Sequence, residues 1–342
     1  LTTDYGLRTT NNIMISNNFS EVRVFAPATV ANVGCGFDVL GFAIDEPGDE
    51  IVARVREETG VVITAVHGDG GKLPLRVDQN TAGVAATALL QDVTDNLSFG
   101  IELELYKKMP LGSGLGSSAA SAVAAVVAVN RLLGDPYERK DLLQFAVEGE
   151  RVACGAAHAD NAGASLLGGF VFIRSNHPMD VFPIDYPEDL HSTVIHPHIE
   201  IRTEDTRKIL RKQILLARAV AQWGNVGALV AGLMKGDHDL IGRSLHDEII
   251  EPIRSVLIPG FNQMKSAAMD AGALGCSISG SGPSVFALSR SKEEARKIGS
   301  AMQRAVASVG LDSDVYISKI NKAGSTVISE KQTQEWNSGM VE

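Results

Sequence analysis

The stretch Pro110-Leu-Gly-Ser-Gly-Leu-Gly-Ser-Ser-Ala-Ala120 decides how the rest of the chain is read. Glycines at 112, 114 and 116 permit left-handed backbone and let a ligand approach the main chain closely. A segment rich in alanine and valine follows to about Leu133, so the pattern is a loop feeding a helix. Ser117 and Ser118 are placed to cap that helix, whose free N–H groups and dipole favour an anion. A phosphate is the expected guest. A Walker A loop would end in Gly-Lys-Ser/Thr, but no lysine occurs between Pro110 and Ala120. The dinucleotide fingerprint is G-x-G-x-x-G, and this chain reads G-x-G-x-G. A plain serine-capped turn is the alternative, and the density of small residues weighs against it.

Working outward, Ile101, Leu103 and Leu105 alternate with Glu102 and Glu104, which predicts a strand leading into the loop. Further strands are expected over 21–26, 51–55, 61–66 and 169–173, with helices over 80–92 and after Asp135-Pro136. From about 176 to Pro197 the texture changes to frequent Pro, His and Asp, read as a connector between domains. Beyond it the spacing predicts helices near 207–223, 226–235, 237–247, 260–271 and 292–309, and strands at 276–279, 285–288 and 314–320. The expectation is an α+β chain of two domains, 21–176 and 177–325, between an extension (1–20) and a tail (326–342).

With 342 residues, 44% hydrophobic and 21% charged, the composition is that of an ordinary globular chain. A formal charge of −10 argues against a broad nucleic-acid surface. The small-apolar run from Ala122 to Val129 is too short to span a membrane. The first twenty residues show no basic-then-apolar leader, so the cytoplasm is expected. Cys35, Cys154 and Cys276 are far apart and read as free thiols.

Three separated segments carry a resemblance. Ala26-Pro-Ala-Thr-Val-Ala-Asn-Val-Gly-Cys-Gly-Phe-Asp38 resembles the first motif of the GHMP kinases, small-molecule kinases named for galactose, homoserine, mevalonate and phosphomevalonate. Pro110–Ala120 is similar to their phosphate loop, and Ser279-Gly-Ser-Gly-Pro-Ser284 to their third, glycine-rich motif. The likeness runs from about 21 to 325, and its fine detail is closest to the members that phosphorylate homoserine. It implies a ribosomal protein S5 domain 2-like ATP-binding domain with a left-handed crossover, then a ferredoxin-like GHMP kinase C-terminal domain. It also implies MgATP as phosphoryl donor, L-homoserine as acceptor, a site between the domains, and a homodimer.

Residue by residue, the resemblance makes the loop (Pro110, Leu111, Gly112, Ser113, Gly114, Leu115, Gly116, Ser117, Ser118, Ala119, Ala120) the ATP site. It makes Ser118 and Glu150 the Mg²⁺ ligands, which suits a hard cation that prefers oxygen. An amino acid carries an ammonium that wants a carboxylate and a carboxylate that wants a guanidinium fork. Asp38 matches the acidic substrate residue, and Asn32 suits a hydroxyl. Thr203 and Arg207 in Thr203-Glu-Asp-Thr-Arg207, and Arg254 in Glu251-Pro-Ile-Arg254, match the carboxylate-binding positions. His158 and Asn161 belong to the homoserine-type segment Gly155-Ala-Ala-His-Ala-Asp-Asn161. Several GHMP relatives carry an aspartate at the position of Asn161. An amide is no general base, so catalysis by positioning and charge stabilisation is expected, with Asn32, Asp38, Ser118, Glu150 and Asn161 as the catalytic set.

His191, His196 and His198 are read as solvated connector residues, and Trp223 as packing a helix. Cys35, Gly163-Ala164 and Arg211 depart from the family pattern; the first could loosen the substrate loop and the second alter a turn after Asn161. Two other readings compete. A mevalonate-type kinase would use the arginines but leave Asp38 without an ammonium, and a sugar kinase would need neither charge. A catalytically silent nucleotide-binding member would be expected to have lost Glu150 or the loop, and both are present.

Overall fold

The computed structural model describes residues 19–93, 98–154 and 159–332. In chain order the elements are β1 (Phe19–Ala31), β2 (Leu40–Arg56), β3 (Gly60–His67), α1 (Thr81–Val93), β4 (Gly100–Tyr106), α2 (Ser117–Leu132), α3 (Leu143–Cys154), α4 (Ala159–Leu167), β5 (Phe170–Asn176) and β6 (Met179–Ile184). They continue with β7 (His191–Pro197), α5 (Thr203–Lys208), α6 (Leu216–Lys235), α7 (His238–Ser244), α8 (Glu251–Arg254), α9 (Phe261–Asp270), β8 (Gly275–Ile278), β9 (Val285–Ser289), α10 (Lys292–Ala307), β10 (Ser313–Lys319) and β11 (Thr326–Gln332).

A seven-stranded sheet runs β11-β1-β2-β4-β3, with β5 on β2 and β6 on β5. Among the described residues only β3 and β4 of this sheet pair in parallel, joined through α1; its other pairs are antiparallel. In β4, Ile101, Leu103 and Leu105 enter the core. Glu102 and Glu104 point the other way and, with Glu21 on β1, receive Arg54 of β2 at 3.2, 2.9 and 2.6 Å. One face is thus dry and one polar, as period-two alternation requires. α2 lies across the dry face and is buried along nearly its whole length. Its alanines let it sit close to β1 and β2 while α1, α3 and α4 pack around it.

The second sheet is a four-stranded antiparallel unit in the order β10-β7-β9-β8. As strands of a βαββαβ unit this is order 4-1-3-2, the ferredoxin-like topology. The two sheets share one apolar core. Phe42 on β2 packs on Phe170 (4.8 Å between centroids) and edge-on against Phe286 of β9 (5.8 Å).

Several expectations need correction. The supposed connector contains two strands. β6 is an edge strand paired only with β5, which is where a residue such as Pro183 is tolerated. β7 is buried throughout, so His191 and His196 are core residues; His198, just beyond, is exposed. The first sheet therefore extends to Ile184, past the boundary expected at 176. Residues 326–332, expected as tail, form β11 against β1. The helices expected at 207–223 and 226–235 are the short α5 and one continuous α6. Gly224 does not break α6, because a local glycine only weakens a helix that tertiary packing holds. Trp223 is 63% exposed and packs little. Residues 1–18 lie outside the described residues.

Candidate active site

The glycine loop is built from its backbone outward. Gly112, Gly114 and Gly116 have φ of 64°, 78° and 73°, the left-handed region. A Cβ on Gly114 would stand 2.5 Å from Ser279 O and 2.8 Å from Gly282 O. One on Gly116 would meet Thr29 Oγ1 at 2.2 Å. The motif at Ser279–Ser284 is thus a prop behind the glycine loop. Ser279 Oγ donates to Gly114 O at 2.8 Å, and Ser284 N to Ser113 O at 3.2 Å. Thr29 N fixes Leu115 O at 3.0 Å.

The expected serine caps are absent. Gly116 is the N-cap of α2 and no side chain caps the helix. Ser117 and Ser118 already lie inside the first turn, and their hydroxyls turn elsewhere: Ser117 Oγ to Asp49 Oδ2 at 2.7 Å, Ser118 Oγ to Glu150 Oε2 at 3.2 Å. The helix start is left for an incoming anion.

Beneath the loop lies a buried group that sequence reasoning missed. Lys107 Nζ pairs with Asp49 and donates to Ser117 O (2.9 Å) and Ser121 Oγ (2.6 Å). Asp49 is fully buried and also accepts Lys108 N (2.9 Å) and Met109 N (3.2 Å). Lysine three residues before Pro110 supplies a cation to this wall although none occurs within the motif.

Leu111 to Ser118 line one cleft with Asn32, Asp38, Glu150, Asn161, Thr203, Arg207 and Arg254. Pro110 opens instead on a separate surface dip beside Gly68 and Asp314, and Ala119 and Ala120 enter the core. His158 lies outside the described residues. Glu150 is buried on α3; its Oε1 has no hydrogen-bond partner, and burial pushes its carboxyl up to about 7. A buried orphan carboxylate oxygen beside a hydroxyl fits a hard cation. Among the described residues no cluster of three His, Cys, Asp or Glu side chains is placed for a metal.

The opposite wall holds the charges. Asn32, Val33 and Asp38, in one loop at the cleft, have φ of 71°, 43° and 60°, unusual for non-glycine residues. Asn32 Oδ1 accepts Asp38 N (3.1 Å), and its Nδ2 donates to Gly280 O (2.8 Å). Cys35 does not loosen this loop: it is buried, and its carbonyl accepts Gln222 Nε2 of α6 at 2.6 Å. Arg207 on α5 grips Asp38 in a fork at 2.8 and 3.2 Å. Arg254 on α8 is buried, donates to Gly280 O at 3.0 Å, and keeps Nε without a hydrogen-bond partner. Burial, then the Arg207 charge, pulls its guanidinium down to about 10. Thr203 Oγ1 lies 3.1 Å from Ser281 Oγ.

α4 runs through Gly163-Ala164 without the turn expected after Asn161. Thr29 Oγ1 donates to Asn161 Oδ1 at 2.7 Å, at the foot of the glycine loop. Asp160 beside it was not anticipated. It is buried, lines the cleft, and is pushed up to about 7 by burial and by the Asp38 charge.

The cleft thus joins a glycine loop at a helix start to a pair of opposite charges. Residues 80–169 match the model described as GHMP kinases N terminal domain, and 229–308 the one described as GHMP kinases C terminal. The homoserine kinase of Chlorobium phaeobacteroides is 53% identical over 314 residues, 89% of this chain and 98% of the relative. A crystal structure of homoserine kinase from Cytophaga hutchinsonii superposes with a TM-score of 0.88 at 58% identity, over 90% of this chain and 98% of that one. The mevalonate kinase of L. major, at 16% identity, TM-score 0.67 and coverage of 90% and 99%, shares the fold. The chain belongs to the GHMP kinase family, and within it to the homoserine kinases.

Proposed function

We propose that the chain transfers the γ-phosphoryl group of MgATP to the hydroxyl of L-homoserine, giving O-phospho-L-homoserine on the route to threonine. The observation that carries this is the pairing of Asp38 with Arg207 and Arg254 in the same cleft as the glycine loop. A zwitterion can take over both halves of the Asp38–Arg207 pair: its ammonium turns to Asp38 and its carboxylate to the two guanidiniums. Asp160 adds a second acidic group to that wall. A sugar offers neither charge, and mevalonate offers only one.

The backbone N–H groups at the start of α2 hold the triphosphate, with Lys107 and Asp49 fixing that turn from below. Ser118 and Glu150 would hold Mg²⁺, which when bound would neutralise charge developing on the phosphates. Asn32 and Asn161 place the hydroxyl for in-line attack on the γ-phosphorus as ADP departs. No carboxylate stands at Asn161, so the hydroxyl proton passes to a phosphate oxygen or to solvent, and rate comes from placement and charge. We also infer a homodimer, on the resemblance alone, in the cytoplasm; light scattering on the purified chain tests the dimer. Among the described residues no helix is long and apolar enough to cross a membrane.

A coupled ADP-release assay with homoserine, mevalonate, galactose or buffer tests the assignment. Turnover with homoserine alone is expected. Turnover with mevalonate or galactose instead, or nucleotide binding without turnover, would overturn it.

A further inference from the structure

Two cations lie over the ring of Phe37. The Arg207 guanidinium carbon lies 5.5 Å from its ring centroid and that of Arg254 lies 5.1 Å away. Both are inside the roughly 6 Å at which the negative face of an aromatic ring attracts a cation. Phe37 directly precedes Asp38, whose backbone is left-handed (φ 60°) and whose N–H is held by Asn32 Oδ1. Ring and carboxylate therefore leave the loop at one fixed angle. Two guanidiniums gathered at one site repel each other, and the negative face of the ring offsets that repulsion.

We propose that Phe37 is a positioning and specificity-determining residue, whose ring sets the spacing of Arg207 and Arg254 so that one amino-acid carboxylate bridges both. It rests on the functional reading above. Asp38, next in the chain, then receives the ammonium, so a single dipeptide arranges the recognition of both ends of the zwitterion. Uncharged acceptors gain nothing from that arrangement, and a singly charged acid gains only its arginine half.

The test compares Phe37→Leu, Phe37→Tyr and a series in which the Phe37 ring is progressively fluorinated, which keeps its shape and drains its negative face. Phe37→Leu is expected to raise the KM for homoserine roughly tenfold, with kcat and the KM for ATP within about twofold. Phe37→Tyr should stay near the parent enzyme, and the homoserine KM should climb along the fluorine series. A flat fluorine series, or equal rises in both KM values, overturns the role of the ring. Should Phe37→Leu lose its cooperative thermal transition, the fluorinated enzymes decide alone. Parent enzyme that turns over homoserine while the series stays flat removes this inference only; parent enzyme inert toward homoserine removes the functional reading and this with it.

Discussion

The two walls of the cleft are made in different ways. The wall proposed for phosphate is main chain: three left-handed glycines, a helix start without a side-chain cap, and carbonyls tied from behind by Ser279, Ser284 and Thr29. The wall proposed for the acceptor is side chain: Arg207 and Arg254 over the Phe37 ring, and Asp38 paired with Arg207 from a loop in which Asn32, Val33 and Asp38 sit at positive φ. The first can serve any nucleotide-using relative, because every triphosphate offers the same oxygens. The second matches one charge pattern. A backbone site is sensitive to added volume and indifferent to side-chain charge, whereas the acceptor wall is the reverse.

Gly114→Ala should be the most damaging single change to the first wall. The methyl meets Ser279 O and Gly282 O at 2.5 and 2.8 Å on a residue at φ 78°, so the loop must move. A displacement near 1 Å lowers rate about 100-fold or more, and kcat/KM should fall alike for ATP and homoserine. A variant within threefold of the parent enzyme would show that the loop is not rigid. Arg254→Ala should separate the walls. Truncating one partner of a buried charge pair costs about 2–5 kcal/mol, so the KM for homoserine should rise about 100-fold while that for ATP stays within about twofold. Equal losses for both substrates would mean that Arg254 supports the whole cleft.

The same contrast explains what was legible in the chain. Gly112, Gly114 and Gly116 lie within five residues, and a phosphate cradle is a local backbone object, so it could be read directly. Lys107 and Asp49 could not: they are 58 residues apart, and a lysine ahead of a glycine loop looks like surface until β2 and β4 bring the pair together. Phe37 could not be singled out, because nothing in its neighbours announces two arginines from 170 and 217 positions further on. Asp160 was overshadowed by Asn161, although one helix turn puts both at the cleft. The proline and histidine density of 177–197 suggested a connector. Composition does not reveal that β7 lies at the centre of the second sheet, where His196 is covered and set 3.3 Å from Ser284 Oγ.

A smaller effect is expected at the seam of the two walls. Asn161 accepts from Thr29 Oγ1 at 2.7 Å and carries no titratable group. Asn161→Ala should lower kcat about tenfold through lost placement, well short of removing a general base that contributes roughly 100-fold or more. The shape of the pH–rate profile should persist. Loss of its basic limb would assign a proton-transfer role to this position.

The gentlest test is thermodynamic and concerns Asp160. An aspartate in an unfolded chain titrates near pH ~4, whereas burial, followed by the Asp38 charge, pushes the folded group up to about 7. The folded chain therefore holds this proton where the unfolded chain has released it. The stability it contributes is fully present below about pH 4 and is lost as pH rises through about 7. Glu150, also pushed up to about 7 by burial, adds a parallel loss. Asp160→Asn cannot titrate, so its melting temperature should fall less steeply than the parent's between about pH 4 and pH 7. Adding Glu150→Gln should flatten the curve further. Homoserine, bringing an ammonium to Asp38 and Asp160, should favour the ionised form and stabilise the parent enzyme more at pH 8 than at pH 6. Parallel melting curves for parent and Asp160→Asn, or stabilisation by homoserine that ignores pH, would place Asp160 outside the electrostatics of the acceptor wall.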